Sequence, residues 1–383
     1  MRILLTCICL CFFSFSAKAQ GYETPASVAI ILDGDSGTVL FEKNAREPIA
    51  PASMTKIMTL YMVFERLASG SLSLDDEFTV SEDAWNRGGF RSGSSTMCLR
   101  PNERVRVEDL IRGVVVLSGN DAAITIAENI SGSEALFAKA MTARAHELGL
   151  TSANFVNSTG WPAENHVISA FDLAQIAKLT IQKFPEFYKY YAEREYDWCT
   201  AAPSNRYNRN PLLSLFDGAD GLKTGYTSEA GYSLIAAAER DGERRIVVVS
   251  GLGTQRERSR QAERVMRAAF GEFTVKTLFE APKDVGRINV YLGQQKTVAV
   301  RPAQPLTIGL FKQTMSQVRA QIIYEGAVSA PVSVGQKMAI LRISAPGQVD
   351  IEVDLLATEA VPRKGFLSRA VTGLVLMIQG PPE

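Results

Sequence analysis

The stretch from Pro51 to Leu67 constrains the fold more than any other. Met54, Ile57, Met58, Tyr61, Phe64 and Leu67 recur at three- and four-residue steps, the spacing of a helix with a wide apolar face. Such a helix has to be buried against other elements. Ser53 stands where an N-cap belongs, and Lys56 follows three positions later. Positions i and i+3 share a helical face, so the Lys56 amine is expected beside the Ser53 hydroxyl. A serine hydroxyl is a poor nucleophile at neutral pH unless a base takes its proton. Lysine is such a base only when burial or a nearby cation keeps it neutral. Lys223 is the candidate for that second cation. Taken alone, the pair is better read as a capping serine and a surface lysine, and the rest of the chain reverses that balance.

The 383 residues allow two or three domains with ample core. Apolar residues make up 46% and charged residues 21%, as in an ordinary globular protein. Acidic and basic residues balance at 41 each, so no overall charge points to nucleic acid. His146 and His166 are the only two histidines. That excludes a histidine-rich metal site and argues against a Ser-His-Asp triad, so a serine enzyme here needs another base.

The N-terminus has the pattern of a secretory signal. Arg2 supplies a positive charge, Ile3 to Phe15 is mostly apolar, and Ala17-Lys18-Ala19 fits a cleavage site. Residues 1–19 are expected to be removed, with export to the periplasm; an uncleaved anchor is the rival reading. The apolar run is short for a membrane span. Cys7, Cys9 and Cys11 leave with the segment, and Cys98 and Cys199 remain in a compartment that permits disulfides. Whether those two pair is open at the level of sequence.

Strand-like runs at Val28–Leu32 and Thr38–Phe41 flank the turn-rich Asp33–Gly37, which reads as a hairpin. Residues 70–76 read as a break and Asn86 to Ser95 as a loop, with a short strand at Met97–Leu99. Helices are expected over Val107–Val116, Ala122–Ile130, Leu136–Leu148 and Ser169–Lys183, the last with Ser169 as N-cap. Residues 155–162 form a loop. Tyr188 to Trp198 reads as helix running into strand, and Asn205 to Asn210 as a turn carrying Arg206 and Arg209.

Two further stretches carry chemistry. Ser118-Gly119-Asn120 falls on the tight connection between two expected helices, where short polar side chains can point into a cleft. Serine can relay a proton, and asparagine both donates and accepts. Lys223-Thr224-Gly225-Tyr226 precedes strands at Tyr232–Ala238 and Arg245–Ser250 and a closing helix at Arg256–Phe270. There Lys223 offers a fixed charge and Thr224 a hydroxyl, and Gly225 would let a substrate backbone lie close. Each of these is unremarkable alone.

Together, S-x-x-K, S-x-N and K-T-G stand in that order across residues 53–225, a motif set of penicillin-binding proteins and class A β-lactamases. With Arg112-Gly113, Asn208-Arg209-Asn210 and Ala230-Gly231-Tyr232 added, the chain resembles the serine D-alanyl-D-alanine carboxypeptidases, the low-molecular-mass penicillin-binding proteins of peptidase family S11. The resemblance is strong over residues 24–272. It implies an α+β (mixed α/β) fold of the DD-peptidase and β-lactamase type, a helical cluster on an antiparallel sheet. Ser53 would be the acylated nucleophile and Lys56 the base. Ser118, Asn120 and Lys223 would form the proton and charge network. Thr224 and Arg258, with Arg209 assisting, would hold the substrate carboxylate. The backbone N–H groups of Ser53 and Tyr226 would form the oxyanion hole. Some relatives carry histidine where this chain has Tyr226, so its side chain is expected to alter deacylation. No cofactor or metal is expected. The implied substrate is a peptidoglycan stem peptide ending in D-Ala-D-Ala, with β-lactams as covalent inhibitors. A β-lactamase, a DD-endopeptidase and a non-catalytic peptidoglycan-binding protein are the alternatives.

Residues 273–360 hold six short strand-like runs separated by turns, from Arg287–Leu292 to Val349–Leu356, and read as a small all-β domain. In residues 361–383, Phe366, Leu367, Ala370, Val371, Leu374, Val375 and Ile378 share one helical face behind Arg363-Lys364. This pattern suits a helix lying on the outer face of the cytoplasmic membrane.

Overall fold

The computed structural model describes residues 22–280, 283–324, 326, 328–346 and 350–365. Its centre is a five-stranded antiparallel sheet. The strands are β1 (Val28–Asp33), β2 (Val39–Lys43), β3 (Ala219–Thr227), β4 (Gly231–Arg240) and β5 (Glu243–Leu252). Their order is β2-β1-β5-β4-β3. The N-terminal hairpin thus joins the sheet beside the last strand, with Ile30 opposite Val248.

Alternation along the strands explains the layers, because successive side chains point to opposite faces. Ile30, Leu32, Ile235, Ala237, Ile246 and Val248 belong to one core. Ala29, Ile31, Leu234, Ala236, Val247 and Val249 belong to another. The first core is shared with α1 (Lys56–Ala68), α2 (Glu82–Gly88), α3 (Val107–Val115), α4 (Asn120–Ser131), α5 (Glu134–Glu147) and α6 (Ala170–Lys183). The second is closed by α7 (Gln255–Gly271) through Ala262, Val265, Met266 and Ala269. Ser169 Oγ caps α6 by accepting from Asp172 N at 3.1 Å.

Several local expectations change. Ser53 is no N-cap: it lies inside a 3-10 turn, Ala52–Thr55, and the α-helix starts at Lys56. The expected loop from Asn86 begins instead as the end of α2. The missed signal was Ser81, whose Oγ accepts from Ala84 N at 2.9 Å, followed by Glu82 and Asp83 in the first turn. Met97–Leu99 forms no strand, because its backbone N–H groups bond the Asp121 carboxylate rather than a neighbouring strand. The stretch after Tyr188 continues as a 3-10 turn and keeps only one bridge, Glu195 to Tyr207.

Beyond α7 the chain forms two further sheets. Phe273–Phe279 pairs with Leu306–Phe311. Six strands line up as Arg319–Ile323, Lys337–Ser344, Ile351–Ala357, Thr297–Pro302, Gly286–Tyr291 and Val328–Ser329. Phe273 and Phe311 enter the same core as Leu40 and α7, so the two units meet through apolar contact at strand β2. Residues 361–365, read as the start of the tail helix, instead follow the β unit: Val361 bridges Val332 and Arg363 bridges Gly293. The rest of that tail, and the expected signal at 1–19, lie outside the described residues. Among the described residues no helix is long and apolar enough to cross a membrane.

Candidate active site

The 3-10 turn presents Ser53 at the edge of the core. Ala52, immediately before it, has a φ of +49°, a region unfavourable for a residue with a Cβ. Lys56 is 0% exposed. Its Nζ lies 3.1 Å from Ser53 Oγ, 2.7 Å from Asn120 Oδ1 and 2.6 Å from the Thr159 carbonyl oxygen. A neutral amine has two N–H bonds and one lone pair. With the N–H groups donated to Asn120 and Thr159, the lone pair is left facing the Ser53 hydroxyl. Burial lowers the Lys56 pKa from 10.5 to about 7, with the Arg209 charge adding to it and Glu134 and Asp121 opposing. Arg209 is therefore a cation acting on Lys56, and the Lys56 and Lys223 charges oppose one another. Lys223 is itself pushed well below its ordinary pKa, by burial and then by Lys56, Arg209 and Arg258.

Ser118 and Asn120 come from the connection between α3 and α4. Ser118 is buried with a φ of +58°, and Asn120 opens α4. Asn120 Nδ2 donates to Ser94 Oγ at 3.1 Å, and its backbone N donates to Ser95 O at 2.8 Å. Arg209 Nη1 donates to Ser95 Oγ at 2.6 Å and Nη2 to Leu117 O at 3.2 Å. The Ser94–Leu99 segment is held from beneath by Asp121, which accepts from Thr96 Oγ1, Met97 N and Leu99 N. A disulfide joins Cys98 to Cys199, Cα atoms 5.3 Å apart, and so ties that segment to the loop leading to Arg209.

The third wall is β3. Lys223 is 3% exposed, and its Nζ donates to Thr224 O at 3.3 Å. Gly225 lies against the Ser53 turn. A Cβ there would meet Pro51 O at 3.0 Å, Ala52 Cβ at 3.2 Å and Met54 Cγ at 3.3 Å. The glycine lets the strand press against the Ser53 turn. Tyr226 is 55% exposed, with its ring 4.2 Å from that of Tyr232. Arg258, 4% exposed, donates through Nη2 to Arg209 O at 3.3 Å. Its Nε has no partner, and burial brings its pKa down to about 10. Among the described residues no carboxylate pairs with Lys223, Arg209 or Arg258. A buried cationic group without counter-charge can receive an anion.

Hydrogen bonds thus join Lys56 to Ser53 and Asn120, and Arg258 to Arg209; Gly225 packs on the Ser53 turn, the buried Lys223 feels the charges of Lys56, Arg209 and Arg258, and Thr159, Ser94 and Ser95 join this set. The Thr159 carbonyl was missed, as were Ser94 and Ser95, both inside a stretch read only as loop. The turn chemistry of residues 157–160 announces a loop, but nothing in it marks which carbonyl will meet a lysine. Among the described residues no three His, Cys, Asp or Glu side chains cluster so as to hold a metal ion.

Comparison with known proteins agrees with this geometry. Residues 14–254 match the family model of peptidase S11, D-alanyl-D-alanine carboxypeptidase, and residues 273–363 match the C-terminal domain of penicillin-binding protein 5. The D-alanyl-D-alanine carboxypeptidase DacF of Bacillus subtilis is 36% identical over 384 residues, 96% of each chain. DacA of Haemophilus influenzae is 34% identical over 391 residues, 99% of this chain and 98% of the relative. Among solved structures, the D-alanyl-D-alanine carboxypeptidase DacD from Francisella tularensis superposes with a TM-score of 0.73 at 28% identity, covering 90% of this chain and 95% of its own. Penicillin-binding protein D2 from Listeria monocytogenes, in an ampicillin-bound form, gives 0.57 at 29% identity, covering 66% of this chain and 99% of its own. The serine–lysine centre, its two flanking motifs and these matches lead to one assignment: the chain belongs to the D-alanyl-D-alanine carboxypeptidase family, peptidase S11.

Proposed function

We propose that the protein removes the terminal D-alanine from peptidoglycan stem peptides through an ester formed on Ser53. In this reading Lys56 takes the hydroxyl proton as Ser53 Oγ attacks the D-Ala-D-Ala carbonyl carbon. The same proton then goes to the leaving amine, and water hydrolyses the ester with Lys56 again as base. Asn120 orients Lys56, and Ser118 lies beside it on the same turn. The terminal carboxylate enters the Lys223, Thr224 and Arg258 wall, with Arg209 at its rim. The N–H groups of Ser53 and Tyr226 receive the oxyanion, a contribution of ~100-fold or more in rate. A β-lactam follows the same path and stays as the acyl group. The observation that carries the reading is Lys56 Nζ, fully buried and 3.1 Å from Ser53 Oγ.

Intact mass after mixing with penicillin tests this. A stable adduct of one penicilloyl group, absent in Ser53→Ala, is expected. An adduct that disappears within seconds as penicillin is consumed makes the protein a β-lactamase, and no adduct in the wild type removes Ser53 as nucleophile.

The sequence pattern supports a cellular placement as part of this proposal. Residues 1–19 direct export, the unit at 24–272 carries the chemistry, and the unit at 273–360 spaces it from the membrane. The apolar face from Phe366 to Ile378 then holds the periplasmic protein on the membrane surface.

A further inference from the structure

The Lys56 amine is aimed by a backbone carbonyl, and that carbonyl has its own supports. Thr159 O, 2.6 Å from Nζ, belongs to the peptide unit whose other end is Gly160 N–H. That N–H donates to Asn157 Oδ1 at 2.7 Å, which also accepts from Thr159 N at 3.2 Å and Thr159 Oγ1 at 3.0 Å. The preceding residue, Ser158, is clamped on both sides. Its N and Oγ donate to Glu134 Oε1 at 3.0 and 2.7 Å, and its carbonyl accepts from Thr59 Oγ1 at 2.7 Å. Glu134, the buried first residue of α5, is fixed in turn by Arg87, whose Nη2 donates to its second oxygen at 2.8 Å.

We propose that Glu134 is a positioning residue for the reaction: through Ser158 it fixes the Thr159 carbonyl, and the carbonyl fixes the direction of the Lys56 lone pair. A neutral amine rotates freely about its last bond. Only two acceptors hold it here, Asn120 Oδ1 and Thr159 O, and loss of either leaves the lone pair free to turn from Ser53. The proposal rests on the reading of Lys56 as the base.

Glu134 also acts through charge. The titratable and charged groups that act on Lys56 are the basic Arg209, Lys223 and His166 and the acidic Glu134 and Asp121. Of the acids Glu134 leads, so its carboxylate favours the protonated amine. Neutralising it should let Lys56 lose its proton at lower pH.

Two substitutions separate position from charge. Glu134→Gln keeps an oxygen for Ser158, and removes the charge together with the bond from Arg87. Glu134→Ala removes both. The measurement is the rate of acylation by a chromogenic β-lactam from about pH 5.5 to 9, with the melting temperature recorded alongside. For Glu134→Gln the acid limb should move down by roughly half a pH unit while the plateau stays within a fewfold of wild type. For Glu134→Ala the plateau should fall roughly ten- to a hundredfold. A residue that merely holds α5 to its neighbouring loop would lower the melting temperature without moving the limb. If the Gln variant, similar to Glu in size, keeps the wild-type limb, the proposal is overturned even if the Ala variant does not fold. A wild-type protein that forms no acyl adduct overturns the underlying reading as well; one that acylates normally while the variants match it overturns only the role of Glu134.

Discussion

At the scale of the residue, the proposed reaction depends on the charge state of one amine. With its pKa near 7, Lys56 is a neutral base above that pH and a protonated, inactive group below it. Acylation should therefore rise with pH through about 7 and then level off. Arg209 is the largest charged contribution holding the value down. Replacing it by Gln removes a positive charge, so the Lys56 pKa rises and the acid limb moves to higher pH, opposite to the shift expected from Glu134→Gln. Stopped-flow acylation across pH reads both. A profile flat between about pH 5.5 and 8.5 in the wild type would remove Lys56 as the titrating base. The sequence made Ser53 and Lys56 legible because their three-residue spacing survives the change from an α-helical to a 3-10 turn. It did not reveal Arg209 as a cation acting on Lys56: the chain returns there 153 residues later, and nothing local encodes that.

At the scale of the element, the site is the seam between a strand and a turn. β3 lies against Ala52–Thr55 at Gly225, and the contacts a Cβ would make there, 3.0 to 3.3 Å, leave no slack. The nearest of them, Pro51 O, is backbone and cannot rotate away. Gly225→Ala should therefore cost roughly 1–3 kcal/mol of stability, as overpacking does. It should cost more in acylation than stability alone explains, because the displaced atoms carry Ser53. Thermal unfolding set beside the acylation rate at a temperature where the variant is fully folded checks this; a variant that acylates at the wild-type rate there shows that the close approach serves packing alone. Of the elements, the sheet strands and most helices were legible from periodicity and caps. Met97–Leu99 was not, since Cys98 has a φ of +66° and the Met97 and Leu99 N–H groups bond the buried Asp121, 22 to 24 residues further on. The gap between Cys98 and Cys199 likewise hid their pairing.

At the scale of the whole molecule, the catalytic unit and the β unit are joined by more than a linker. Phe273 and Phe311 of the β unit share a core with Leu40 and α7, and the Phe273 and Phe311 rings lie 5.4 Å apart. The β unit's strand pattern was readable from its turns, but this docking was not, because an apolar residue at a strand end does not announce its partner. The described chain ends after residues 361–365 run along the β unit through the bridges of Val361 and Arg363. The last described residues thus lie on the β unit rather than at the catalytic residues, and the proposed attachment through the residues after 365 starts from there. Membrane attachment and catalysis should then be separable. A protein ending at Gly365 should acylate with penicillin at the wild-type rate yet lose binding to vesicles containing anionic lipid. The full-length protein should bind them in a way that salt weakens only in part, since one contribution is charge at Arg363, Lys364 and Arg369 and the larger is apolar burial. Co-sedimentation at low and high salt, with acylation measured on the same samples, decides it. Equal vesicle binding by the two forms would place the attachment elsewhere in the chain.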